Sequence, residues 1–154
     1  MISIYTDASV SSGVAVASCM LLTDQAYIGF NSMTYNNIWS SQVGELLAIR
    51  DGLKFFTTTG LSDKEVVLFT DHEYAIRLIE EGDASKFSEA SDLLKEIIEL
   101  SKTCEISVQH ITAHQSTHNP NKVVDQMSRH KLRSTLKKGR KKCQSKNYST
   151  GGLS

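Results

Sequence analysis

Apolar residues come in two rhythms along this chain. Near the start they form short runs bounded by turn residues. "ISIYTDA" (2–8) predicts a strand, "GVAVASCMLL" (13–22) a second, "TDQ" a turn, and "AYIGFNS" (26–32) a third. The short connections predict an antiparallel meander. The period then changes. In "ELLAIRDGLKFF" the residues Leu46, Ile49, Leu53 and Phe56 fall at i, i+3, i+7 and i+10, one face of a helix, with Ser40 or Ser41 as its N-cap. "EVVLF" predicts a buried strand, and "HEYAIRLIEEG" a helix closed by Gly82. "SEASDLLKEIIELS" repeats the helical period at Ala90, Leu93, Leu94, Ile97 and Ile98, and "CEISVQHI" alternates like a strand. "NPNKVVDQMSRHKLRSTL" predicts a last helix, with Asn119 as cap and Pro120 at its first position. The polar residues 139–154 contain three glycines and are expected to be a disordered tail. The predicted order is βββαβααβα. Strands separated by helices pair in parallel, which with the meander gives an α/β fold: a five-stranded mixed sheet with helices on both faces.

Composition narrows the class. A chain of 154 residues, 40% hydrophobic and 22% charged, suits one soluble domain, expected over 1–138. The longest apolar-leaning run, "VAVASCMLL", is too short to cross a bilayer, and no basic segment followed by an apolar one opens the chain. No membrane partner is therefore expected. Cys19, Cys104 and Cys143 are odd in number and fall at unrelated spacings, so a reducing, cytoplasmic setting is expected. The zero net charge conceals an asymmetry. Residues 1–100 hold 6 Lys and Arg against 15 Asp and Glu, whereas residues 101–154 hold 11 against 2. The basic stretch "RHKLRSTLKKGRKKCQSK" fits a phosphate backbone, or a tail that only aids solubility.

Four acids occupy positions where an apolar or small residue is expected. Asp7 and Asp71 each follow an apolar strand and a threonine. Glu45 precedes Ile49 by four residues and Leu53 by eight, which turns its carboxylate toward the sheet. Asp125 lies in the last helix, seven residues before Leu132. Each has an ordinary explanation. Asp71 can cap the next helix, Asp7 can begin a turn, Glu45 can favour the helix dipole, and Asp125 can offset Lys122 and Arg129. Together, four converging carboxylates repel one another, and a divalent cation with hard oxygen ligands, Mg²⁺ or Mn²⁺, relieves that repulsion.

"YTDAS", "SSQVGELLAI", "FTDHEYAI" and "AHQSTHNPNKVVDQMSR" resemble, in this order, the four catalytic blocks of type 1 ribonuclease H, over roughly residues 1–135. The resemblance implies a ribonuclease H-like fold and an endonuclease that hydrolyses the RNA strand of RNA–DNA hybrids, leaving 5′-phosphate and 3′-hydroxyl ends. It implies that Asp7, Glu45, Asp71 and Asp125 hold two Mg²⁺ ions, Mn²⁺ being a substitute, about 4 Å apart. A loop histidine is expected to assist proton transfer: His114, with His118 as the alternative. Gln42 and Asn121 match substrate-binding positions. The basic protrusion that many bacterial relatives carry between the middle helices is missing, since "EEGDASKFSEA" is short and acidic. The stretch Arg129–Lys146, with Lys137, Lys138 and Arg140, is expected to bind the hybrid in its place. A monomer is expected. The other readings are a nuclease of the same fold, such as an integrase or resolvase, and a module that binds nucleic acid without cutting it. Glu45 on the first helix speaks against an integrase, and the full set of acids against a non-cutting module.

Overall fold

A computed structural model describes residues 1–63, 65–112 and 120–151, with only the backbone described for 140–151. The opening meander consists of β1 (Ile2–Ser11), β2 (Val14–Thr23) and β3 (Tyr27–Asn36). β1 and β2 meet at a two-residue turn in which Ser12 and Gly13 both have positive φ, 53° and 74°. That backbone matches the twist of the flanking strands. β4 (Val66–Thr70) joins the other side of β1 in parallel, from Ile2↔Val66 to Tyr5↔Phe69. β5 (Ser107–His110) extends β4 in parallel, giving the order β3-β2-β1-β4-β5. The helices are α1 (Ser41–Thr59), α2 (Glu73–Glu81), α3 (Ser91–Thr103) and α4 (Pro120–Gly151), with a 3-10 turn at Ala84–Lys86. The predicted fold class and element order therefore stand.

Three boundaries differ from the sequence expectation. β1 continues to Ser11 instead of stopping at residue 8, because β2 supplies partners throughout, from Asp7↔Ser18 to Ser11↔Val14. Asp7 is thus not at the end of its strand; it lies beyond the end of the β1–β4 pairing. β3 likewise runs on to Asn36 against β2. α4 continues to Gly151, past residue 138, where a disordered tail was expected. Residues 140–148 contain no proline or glycine, and Gly139, with open space around its Cα, costs a helix only about 1 kcal/mol.

The core lies between the sheet and α1, α2 and α3. Ile4, Leu21, Leu46, Ile49, Leu53, Leu68, Leu94 and Ile97 are fully buried there, and burying such side chains is the main favourable term in folding. α1 lies unusually close to the strands because two of its contact residues are glycines. A Cβ at Gly52 would stand 2.8 Å from Thr6 Cγ2, and one at Gly44 2.6 Å from Val10 Cγ2. The even-numbered side of β1 thus faces α1. α4 covers the opposite side, where Lys131 Nζ donates to the Ser32 carbonyl at 3.0 Å and Val124, Ser128 and Leu132 are buried. Gly44→Ala is expected to push α1 off the sheet and lower stability by about 1–3 kcal/mol, read as the midpoint of urea unfolding. An unchanged midpoint would show that the close approach is not tight.

Candidate active site

The site forms where β1 and β4 part company. They pair only as far as Tyr5 and Phe69, and the next residues of each strand turn their groups into the opening. On one side β1 pairs antiparallel with β2, on the other parallel with β4, so this is a switch point in the sheet, a place where crevices form at strand carboxyl ends. Buried threonines fix both edges. Thr6 Oγ1 donates to the Phe69 carbonyl at 3.4 Å, and Thr70 Oγ1 accepts the His72 N–H at 3.2 Å. Ile111 N–H donates to the Thr70 carbonyl at 2.9 Å.

Asp71 does not cap α2. His72 does, its Nδ1 accepting the Ala75 N–H at 3.1 Å. That bond requires an unprotonated Nδ1, and burial holds the His72 pKa below its usual value. The Asp71 carboxylate is left to the crevice. There Asp7, Glu45 and Asp71 each present an oxygen, all within 4.8 Å of one another. Glu45 reaches this point from α1, past the helix's first turn, and its Oε1 accepts the Ala8 N–H at 3.4 Å. Gly44 beside it lets the helix come that close.

The electrostatics are unfavourable as they stand. Asp7 is 3% and Glu45 8% exposed. Asp7 Oδ2 and Glu45 Oε2 are buried with no hydrogen-bond partner among the described residues. Burial, then the neighbouring carboxylates, push both groups well above the usual carboxylate range: Glu45 first among those neighbours for Asp7, and Asp71 for Glu45. Asp125, from α4, lies within hydrogen-bonding reach of Asp7 and adds to the same repulsion. Its other contact is an ion pair, Arg129 Nε to Asp125 Oδ1 at 3.0 Å. Asp125 thus touches Arg129 on one side and the acidic group on the other. Unpartnered buried carboxylate oxygens at this spacing fit a divalent cation with oxygen ligands, Mg²⁺ or Mn²⁺.

The remaining candidates are spread more widely. Gln42 is half-buried in the first turn of α1, three residues before Glu45. Asn121, one turn before Asp125, is 1% exposed. Lys137 and Lys138 are exposed on α4, about 20 Å along the helix from Asp125 at 1.5 Å per residue. Lys122, Arg129, His130 and Arg133 line a groove with Asp125, and His130, Arg133, Lys137 and Lys138 line the next one. A basic face thus runs continuously away from the acids. His114, His118 and the cap Asn119 lie outside the described residues, as does the Arg140 side chain. His110 ends β5 with its Nε2 3.7 Å from Glu73 Oε1.

Two features escaped the sequence reading. Asp51 is 8% exposed and accepts from Tyr35 Oη at 2.6 Å and from Arg50 at 3.2 Å. It is a buried acid with partners, the opposite case to Asp7. His72, which carried no role in the sequence, is the α2 cap; its position directly before a run of helical period was the available signal.

Fold and acidic crevice together define an α/β domain with a carboxylate-lined candidate site. The family model for RNase H matches residues 1–133, and the chain belongs to the RNase H family, an enzyme of the ribonuclease H class. Solved structures agree in fold. LC11-RNase H1, isolated from compost by a metagenomic approach, is 18% identical with a TM-score of 0.74, covering 88% of this chain and 97% of that one. The N-terminal RNase H domain of rv2228c from Mycobacterium tuberculosis is 13% identical with a TM-score of 0.69, covering 87% and 97%. The prototype foamy virus protease-reverse transcriptase is 19% identical with a TM-score of 0.68, covering 84% of this chain and 20% of that one. No curated protein matches the chain in sequence.

Proposed function

We propose that this protein hydrolyses the RNA strand of RNA–DNA hybrids, with Asp7, Glu45, Asp71 and Asp125 as ligands of two Mg²⁺ ions. The observation that carries the reading is the convergence of buried, unpartnered carboxylate oxygens at the sheet's switch point in a chain of the RNase H family. A structural relative, LC11-RNase H1, is known in complex with an RNA/DNA hybrid, which supports the same substrate here. Bound at these acids, divalent cations would activate a water for in-line attack and neutralise charge on the leaving 3′ oxygen, giving a 5′-phosphate and a 3′-hydroxyl.

The chain's own residues supply the positioning. The Ala8 N–H orients Glu45, and Arg129 orients Asp125. The His72 cap keeps Asp71 out of the helix. Gln42, three residues before Glu45 on α1, reads a 2′-hydroxyl, the group that distinguishes RNA from DNA. His114 is assigned to proton transfer at the leaving group. The basic face of α4 holds the phosphate backbone through Arg129, Arg133, Lys137, Lys138 and Arg140.

The test is cleavage of a labelled RNA strand by the purified protein with Mg²⁺, in a hybrid, in double-stranded RNA and as a strand of neither duplex, with double-stranded DNA alongside. Cutting of the hybrid alone is expected. Cutting of DNA instead would favour another nuclease of this fold, and binding without cutting a non-catalytic module. Deleting residues 137–154 is expected to weaken hybrid binding and to flatten the plot of log K against log salt by about 0.9 for each phosphate no longer neutralised. An unchanged slope rejects the role of Lys137, Lys138 and Arg140.

A further inference from the structure

The chain's single tryptophan, Trp39, is 76% exposed, the most exposed large apolar side chain among the described residues. A bare indole in water is unfavourable, yet this one is held in place. Its ring lies on Gly13 in the β1–β2 turn, where a Cβ would stand 2.7 Å from the indole Cζ2. The Ile38 N–H donates to the Gly13 carbonyl at 3.1 Å, tying the segment to the same turn. Ser40, the next residue, caps α1 by accepting the Val43 N–H at 3.3 Å. Both neighbours of Trp39 in the chain are thus anchored, while one face of the ring is open.

Its position connects it to the acids. Val10, two residues before the turn, touches the Gly44 position, and Gly44 adjoins Glu45. Gln42 lies between Trp39 and Glu45 on the first turn of the helix. Trp39 therefore stands on the α1 side of the sheet, its ring seated six residues along the chain from Asp7, about 20 Å of extended strand, whereas the basic face of α4 lies on the opposite side. A nucleic acid lying across the crevice toward α4 needs a second support on the near side. A rigid aromatic plane provides one without sequence preference, because every nucleotide offers the apolar C–H edge of its sugar.

We infer that Trp39 is a substrate-positioning residue, an aromatic platform that packs against the sugar rings of the hybrid a few nucleotides from the cleaved phosphate. The inference rests on the proposed function, and the experiment separates the two. Because Trp39 is the sole tryptophan, its emission reports on this contact directly. The full-length protein is titrated with an RNA–DNA hybrid in EDTA, where no cutting occurs. Anisotropy of a label on the hybrid measures binding, and tryptophan emission measures the contact. Quenching that saturates with the anisotropy curve is expected. Trp39→Ala is expected to weaken binding about five- to fiftyfold. It should raise KM to match, with kcat changed by less than about twofold, and Trp39→Phe should recover most of the affinity. Hybrid binding with unchanged emission overturns the inference alone, as does a Trp39→Ala protein that binds as well as the wild type. Should Trp39→Ala fail to fold, the wild-type emission still decides. A wild type that neither binds the hybrid by anisotropy nor cuts it with Mg²⁺ overturns the functional reading and this inference with it.

Discussion

Asp71→Asn is expected to lower hybrid cleavage about a thousandfold or more, because it removes one of three charges that converge within 4.8 Å. The substitution is nearly isosteric, so packing is kept. It also removes a repulsion that raises the pKa values of Asp7 and Glu45. The metal-free variant should therefore melt no lower than the wild type. That pairing is diagnostic. Lost activity with retained or raised Tm places Asp71 in the chemistry; lost activity with a lowered Tm places it in the fold. Activity within a few fold of wild type would remove Asp71 from the site.

Without metal, the wild-type protein is expected to lose stability as pH rises. Asp7 and Glu45 have folded-state pKa values above their unfolded ones, so the native state binds more protons than the unfolded state. Their contribution is fully present below the unfolded value, near 4, and is lost as pH rises toward the folded values. From about pH 5 to about pH 8 the loss is on the order of 2–4 kcal/mol, or roughly 5–15 °C in Tm for a chain of this length. Millimolar Mg²⁺ or Mn²⁺ at the higher pH should restore most of it, since a ligand that binds only the native state stabilises it. Asp7→Asn should flatten both the pH dependence and the response to metal. A metal-free Tm that rises over this range would contradict the assignment of these acids as a strained, metal-ready group.

Most of the frame was legible because it depends on local patterns. The helical period of Leu46, Ile49 and Leu53 predicted α1 and aimed Glu45 at the sheet, where it lies. Ser40 or Ser41 and Gly82 marked helix ends by the chemistry of caps; of the two serines it is Ser40 that accepts the bond, and Gly82 takes the left-handed conformation. What was not legible depends on partners distant in sequence. β1 and β3 run past their apolar cores because β2 pairs with them throughout. Asp51 carries no local sign of burial. Tyr35, 16 residues earlier, shares the network that satisfies it. The parting of β1 from β4 after Tyr5, which opens the site, is likewise a property of the sheet. His72 shows the reverse failure. A cap was weighed there only for Asp71, as the alternative to metal binding, because aspartate is the commoner cap.

The central claim is that these acids are a cage for divalent cations. The most direct measurement is anomalous scattering from a crystal of the protein soaked in Mn²⁺. Peaks are expected about 2.1 Å from carboxylate oxygens of Asp7, Glu45 and Asp71, with one also close to Asp125. A well-ordered soaked crystal with no anomalous peak at these oxygens, or with Mn²⁺ bound only elsewhere on the surface, would contradict the claim.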